Sequence, residues 1–213
     1  MRLPILVNSL KSSIAWFLVG GIATIVLYQV TNRIHLFQPK MLEMEPIDAF
    51  FPLLPWTIWI YFTEYLIFVC TWVLLNNNEE RMRYWYSYMA ILFFSILVFI
   101  FYPTNFPRHE HPLTGFGDNI SVHVFQYFRD HMDTPANCLP SLHVSSCFIS
   151  AFAFWRGSKT KFWIFLAWSF AVAVSTLTTK QHYFIDVWTA VLLTFVSFYV
   201  FNYWVTYYQL KKT

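Results

Sequence analysis

The sequence predicts an all-α, polytopic membrane protein: one domain over residues 1–213, six transmembrane helices in a bundle, with its polar residues gathered at the outer membrane face. Three observations carry this. Of the 213 residues, 57% are hydrophobic and only 12% are charged, against roughly 45–50% and about 25% in an ordinary globular chain. The mean hydropathy is +0.46. Six apolar stretches approach the length of about 20 residues that a helix needs to cross a hydrocarbon core roughly 30 Å thick. The same figures exclude a disordered chain, a collagen-like or disulfide-stapled scaffold and a basic nucleic-acid binder, since the net charge is only +3.

The six stretches are Ser13–Val30, Trp56–Leu75, Tyr84–Tyr102, Leu142–Trp155, Phe162–Thr178 and Tyr183–Trp204. Helices are expected because backbone in lipid must satisfy its own hydrogen bonds, and the alternation of a membrane β-barrel is absent. The fourth stretch is short and follows Pro140, which places its start at the membrane surface. The first reads as an uncleaved anchor, because no small-x-small cleavage site ends it. The longest connection runs from Pro103 to Pro140. Within it Ile120–Met132 reads as a short amphipathic surface helix with Ile120, Val124, Phe125 and Phe128 on one side. Cys70, Cys138 and Cys147 show no pairing pattern, which argues against structural disulfides.

Six spans put both termini on one side. That side carries nine Lys and Arg: Arg2, Lys11, Arg81, Arg83, Arg156, Lys159, Lys161, Lys211 and Lys212. The other carries five: Arg33, Lys40, Arg108, Arg129 and Lys180. The positive-inside rule then puts the termini in the cytoplasm and the long third and short fifth loops outside, in periplasm, lumen or exterior.

The polar residues are unevenly placed. Only Glu64 and Asp186 among the charged residues fall within these stretches, and an intramembrane carboxylate is costly enough to face the bundle interior and to be a functional candidate. His182 and Asp186 are four apart and share a helical face. An Asp that accepts from one imidazole nitrogen fixes the tautomer and leaves the other nitrogen free to attack. The competing reading is an interfacial pair that anchors the helix. In Cys138-Leu-Pro-Ser-Leu-His143, Pro140 suits a first turn and Ser141 a cap. The free amides of such a turn form an anion site into which His143 would look. Arg108 is a fork-shaped phosphate ligand at the exit of the third span. The topology gathers Arg108, Ser141, His143, Lys180, His182 and Asp186 at one face, which unrelated interfacial residues would not do.

With these residues in place, the chain resembles the type 2 phosphatidic acid phosphatase superfamily, over roughly residues 101–190 and in its six-span layout. The second motif of that family reads here Pro140-Ser141-Leu142-His143. The third reads Ser175-Thr176, five residues, His182, three residues, Asp186. Leucine replaces the usual glycine at 142, threonine the usual arginine at 176, and the first motif is a reversed Pro107-Arg108. These variants are similar to the branch of inositol phosphorylceramide synthases and related lipid phosphotransferases. The resemblance implies that His182 attacks phosphorus to form a phosphohistidine, that Asp186 orients it, and that His143 serves as acid and then base. It further implies that Arg108, Ser141 and Lys180 hold the phosphoryl oxygens and that no metal or other cofactor takes part. The implied substrate is a membrane lipid phosphomonoester or pyrophosphate.

Transfer to water makes a lipid phosphatase, and transfer to an alcohol makes a phosphotransferase. The chain has no extra domain for a second substrate, which favours the phosphatase. A zinc site built from His109, His111, His143, His182 and Asp186 fits no recognised ligand spacing; His109, His111, His123 and His131 read as surface or substrate-approach residues. A small transporter or flippase would accommodate Glu64, but no broken pair of spans recurs in two halves. A scaffold or assembly factor would need none of the His/Asp/Arg geometry. For Glu64 itself the sequence favours a hydrogen bond within the bundle over a proton relay or an active-site partner.

Overall fold

The computed structural model describes residues 1–210; Lys211 and Lys212 of the charge count lie outside the described residues. Ser9 caps the first long helix, α1 (Leu10–Arg33). A second span, Pro55–Leu74, is broken at Thr63 into α2 (Ile58–Phe62) and α3 (Glu64–Leu74). Asn77 caps α4 (Asn78–Phe101). Next come the short loop helix α5 (Ile120–Tyr127), α6 (Leu142–Ala153) and α7 (Lys159–Thr178). The last is α8 (Phe184–Tyr199), continued by a wide turn to Trp204.

Among the described residues, five helices are long and apolar enough to cross a membrane: Leu10–Arg33, Pro55–Leu74, Asn78–Phe101, Lys159–Thr178 and Phe184–Trp204. The fourth expected span, Leu142–Trp155, is not among them. Helix α6 has 12 residues, a length of about 18 Å, short of a hydrocarbon core. It is instead the axis of the bundle, packed against α3, α4, α7 and α8.

Small polar side chains let these helices approach. Ser169 Oγ donates to Cys147 O (2.8 Å) and Ser197 Oγ to Ser87 O (2.8 Å). The Tyr84 and Ser150 hydroxyls bond at 3.0 Å. Such interhelical bonds contribute on the order of 0.6 kcal/mol each in a membrane. Helix α1 lies outermost and packs on α4, where Gly20 allows the Trp85 ring to approach.

The structure is mostly helical, yet not purely so. β1 (Arg2–Ile5) pairs in parallel with β4 (Thr206–Gln209), and β2 (Lys40–Met41) with β3 (Thr104–Asn105). The first pair holds both ends of the described chain together, and Tyr86 Oη donates to Pro4 O beside it. Arg83 and Arg156 both bond Asn202 at this same end. Helix α4 starts six residues before the expected stretch, because the Asn77 cap and first-turn Glu79 and Glu80 prolong it past the apolar run.

In the long loop the helical expectation holds over Ile120–Tyr127, and a wide turn follows to Met132. Its buried face differs from the expected one. Phe125 and Phe128 are buried with Val122 beside them, while Ile120 is exposed.

Candidate active site

The site lies at the end of the bundle opposite the β1–β4 pair, where α6 and α8 begin. Helix α7 ends at Thr178, and Lys180 takes a left-handed backbone (φ 50°) that reverses the chain, as helix ends commonly do. Gln181 N and His182 N both donate back to Thr176 O, at 3.0 and 3.3 Å. The returning chain enters α8 through a cap in which Asp186 Oδ2 accepts from Tyr183 N at 2.9 Å. The same oxygen meets His182 Nδ1 at 3.2 Å. Asp186 is fully buried and His182 is 5% exposed. Because Nδ1 is held by the carboxylate, Nε2 is the nitrogen left for chemistry.

Ser141 caps α6, its Oγ accepting from Val144 N at 3.3 Å. Its N–H donates to Asp186 O at 3.2 Å, which ties the starts of α6 and α8 together. Pro140 lies just before the cap, not within the first turn as expected. The amides of Leu142 and His143 have no partner within the helix, as helix geometry requires. The His143 ring faces that of His182, with centroids 5.8 Å apart.

His143 brings in two residues that sequence reasoning left outside the site. Its Nε2 bonds the Tyr61 hydroxyl at 2.8 Å and lies 3.5 Å from Glu64 Oε1. The break at Thr63, held by Trp168 Nε1 donating to Thr63 Oγ1 (2.7 Å), sets Glu64 at the first position of α3. His143 Nδ1, Glu64 Oε2 and Asp186 Oδ1 are buried without a hydrogen-bond partner among the described residues. Glu64 is thus a neighbour of the site histidine. The Tyr65 hydroxyl is a further neighbour of its carboxyl group, an aromatic partner of the kind expected, and the imidazole contact adds to it.

Arg108 and Lys180 stand differently from each other. Arg108 donates to Asp133 O at 2.9 Å and bonds both the Asp133 carboxylate and the side chain of Gln181, next to His182. Its Nε is buried and has no hydrogen-bond partner among the described residues. Lys180 Nζ is turned toward the carbonyls of Phe51 (2.5 Å) and Asp48 (3.4 Å). The Asp48 carboxylate in turn accepts from Phe184 N at 2.7 Å. The lysine therefore clamps the 46–51 turn onto the His182 loop, and its charge is already engaged. Burial pushes the Lys180 ammonium below the usual lysine range, an effect that Asp48 opposes. Burial likewise pushes the His111 imidazole below the usual histidine range, with Lys180 adding to the effect.

The structure brings His143, His182, Asp186 and Ser141 together. It sets Arg108 beside them through Gln181 and directs Lys180 elsewhere. Tyr61, Glu64, Asp133 and Gln181 are additions. For Glu64 the signal was present, a carboxylate alone in an apolar span; for the others the sequence offers none.

A family model for the PAP2 superfamily matches residues 25–200, most of the chain. No curated protein and no solved structure matches it. The family match spans every residue of the His182, His143 and Arg108 segments. The chain belongs to the PAP2 superfamily.

Proposed function

We propose that the protein is an integral membrane lipid phosphatase that works through a phosphohistidine on His182, without a metal. The observation that carries this reading is the facing pair of imidazoles. One is held at Nδ1 by a buried carboxylate; the other is held at Nε2 and unpartnered at Nδ1.

In the first half-reaction His182 Nε2 attacks phosphorus while Nδ1–H stays on Asp186, and the carboxylate offsets the charge growing on the ring. The P–O bond to the lipid breaks, and the leaving oxygen takes a proton from His143 Nδ1. Glu64 and Tyr61 hold that ring from its other nitrogen. In the second half-reaction His143 takes a proton from water as it attacks, the N–P bond breaks, and phosphate leaves with His182 restored. Both roles suit an imidazole. The Nε–H of Arg108, Ser141 and the first-turn amides of α6 would bind the phosphoryl oxygens. Lys180 supports the site by fixing the His182 loop.

The second reading is a phosphotransferase, in which a lipid alcohol replaces water in the second half-reaction. It is favoured by the Pro-Ser-Leu-His variant, since Leu142 lines an apolar cavity that reaches His143. The membrane orientation fits either reading: termini in the cytoplasm, site facing periplasm, lumen or exterior.

The test is purified protein in detergent with a panel of lipid phosphates, with and without alcohol acceptors. Phosphate release that survives EDTA and is lost in His182→Ala supports the phosphatase. A phosphorylated acceptor supports the transferase. Folded wild-type protein that is inert across the panel refutes both.

A further inference from the structure

Beside His143 is a cavity of about 500 Å³. Its walls come from α1 (Phe17, Gly21, Tyr28) and α3 (Phe68, Val69), and away from His143 the tilted rings of Phe17 and Phe68 approach to 5.1 Å between centroids. Its other end holds Glu64, His143 and Asp133. The lining is mostly apolar along its length, where the Thr24 and Tyr88 hydroxyls bond each other at 3.0 Å, and its charged residues gather where it meets the site. It is also open sideways. Helix α1 packs on α4 and leaves a gap toward α3, and the flanking Leu18, Ile22, Tyr65 and Val69 are exposed where lipid would surround the bundle. From Phe17 to Tyr28 the wall of α1 is about 16 Å long, the reach of a long hydrocarbon chain.

The polar end is selective by charge. Asp133 is already committed to Arg108, whereas Glu64 Oε2 has no hydrogen-bond partner among the described residues. A phosphate directed at this end would meet a carboxyl group and no free cation. A hydroxyl would find acceptors and the His143 ring. The phosphoryl group and its ester oxygen therefore belong on the His182 side of His143, and the hydrocarbon chain of the lipid alcohol runs past His143 into the cavity on the Glu64 side.

Resting on the phosphohistidine reading for its polar end, we infer that the α1–α3 cavity binds the single hydrocarbon chain of a long-chain lipid alcohol. Its phosphate ester is the substrate and the free alcohol the product or acceptor. Gly21 sets the chain length that fits. A Cβ at Gly21 would meet nothing within 4 Å, so a larger side chain can enter the cavity without displacing the helix.

Two measurements test this. The first compares turnover of octyl, dodecyl and hexadecyl phosphates by wild type, Gly21→Leu and Gly21→Phe. The ratio of hexadecyl to octyl turnover is expected to fall on the order of tenfold in Gly21→Phe, as when two or more methylenes lose their burial, and by less in Gly21→Leu. An unchanged ratio in folded variants overturns the inference. The second needs no activity: a hexadecanol with a diazirine at its tail is photolysed with wild-type protein in bilayers. Labelling of Phe17–Ile25 and Tyr65–Val69 that hexadecyl phosphate competes away is the expected result. Labelling spread over the lipid-facing helices, uncompeted, shows bulk lipid only and overturns it. Inert wild type in the first measurement would instead refute the phosphatase, while the labelling still decides the cavity.

Discussion

Asp186→Asn isolates one charge with almost no change of shape. Asp186 Oδ2 accepts from both Tyr183 N and His182 Nδ1, at 2.9 and 3.2 Å, and an asparagine oxygen can keep only part of this pattern. Two effects act in the same direction. The positive charge that grows on His182 during attack loses a buried counter-charge. At about 4 Å and an effective dielectric near 20 this is worth about 4 kcal/mol, or about a thousandfold in rate. The asparagine NH₂ can also donate to the ring and hold the tautomer in which Nε2 carries the proton, which blocks attack. The assay is steady-state phosphate release in detergent, with thermal unfolding as the control for the cap. A fall in kcat of about three powers of ten with KM nearly constant is expected. A folded variant within tenfold of wild type would refute the role given to Asp186.

In the proposed mechanism Glu64 acts through His143, so Glu64→Gln should lower kcat about tenfold or more for an alkyl phosphate, whose leaving oxygen must be protonated. Nitrophenyl phosphate, which needs no acid, should be spared; an equal loss on both would mark a structural role only. Arg108→Lys removes a planar fork that bonds Asp133 and Gln181, next to His182, and kcat/KM should fall more than tenfold; retention of activity would exclude Arg108 from phosphate binding. Burial pushes the Cys138 thiol well above the usual cysteine range, so with the chain folded it should resist maleimide near neutral pH. In a protein freed of Cys70, a cysteine at Asn119 should react with an impermeant maleimide from outside; labelling only after permeabilisation would reverse the orientation.

How much of this was legible in the sequence depended on distance along the chain. His182 and Asp186 sit four residues apart, and Ser141 caps the helix that carries His143, so these placements were written locally. The lone carboxylate at Glu64 was visible, but its partner was not. That contact needs a helix break at Thr63 and the packing of α3 on α6, which no spacing rule encodes. Lys180 misled because its type and position suit a phosphate, whereas a left-handed backbone turns its ammonium to the carbonyls of Phe51 and Asp48. The β1–β4 pair joins Arg2 to Thr206; pairing across that separation leaves no local trace. The α6 stretch was legible as short, yet its place at the bundle axis follows only from the helices that surround it.

The proposed mechanism requires His182 to carry the phosphoryl group. The most direct measurement uses His143→Ala with radiolabelled nitrophenyl phosphate, where the first half-reaction needs no acid and the second lacks its base. Quenched in alkali, the variant is expected to hold a base-stable, acid-labile label on the peptide containing His182. Phosphate release from the wild type with no such label in either protein, or with the label on another residue, would contradict it.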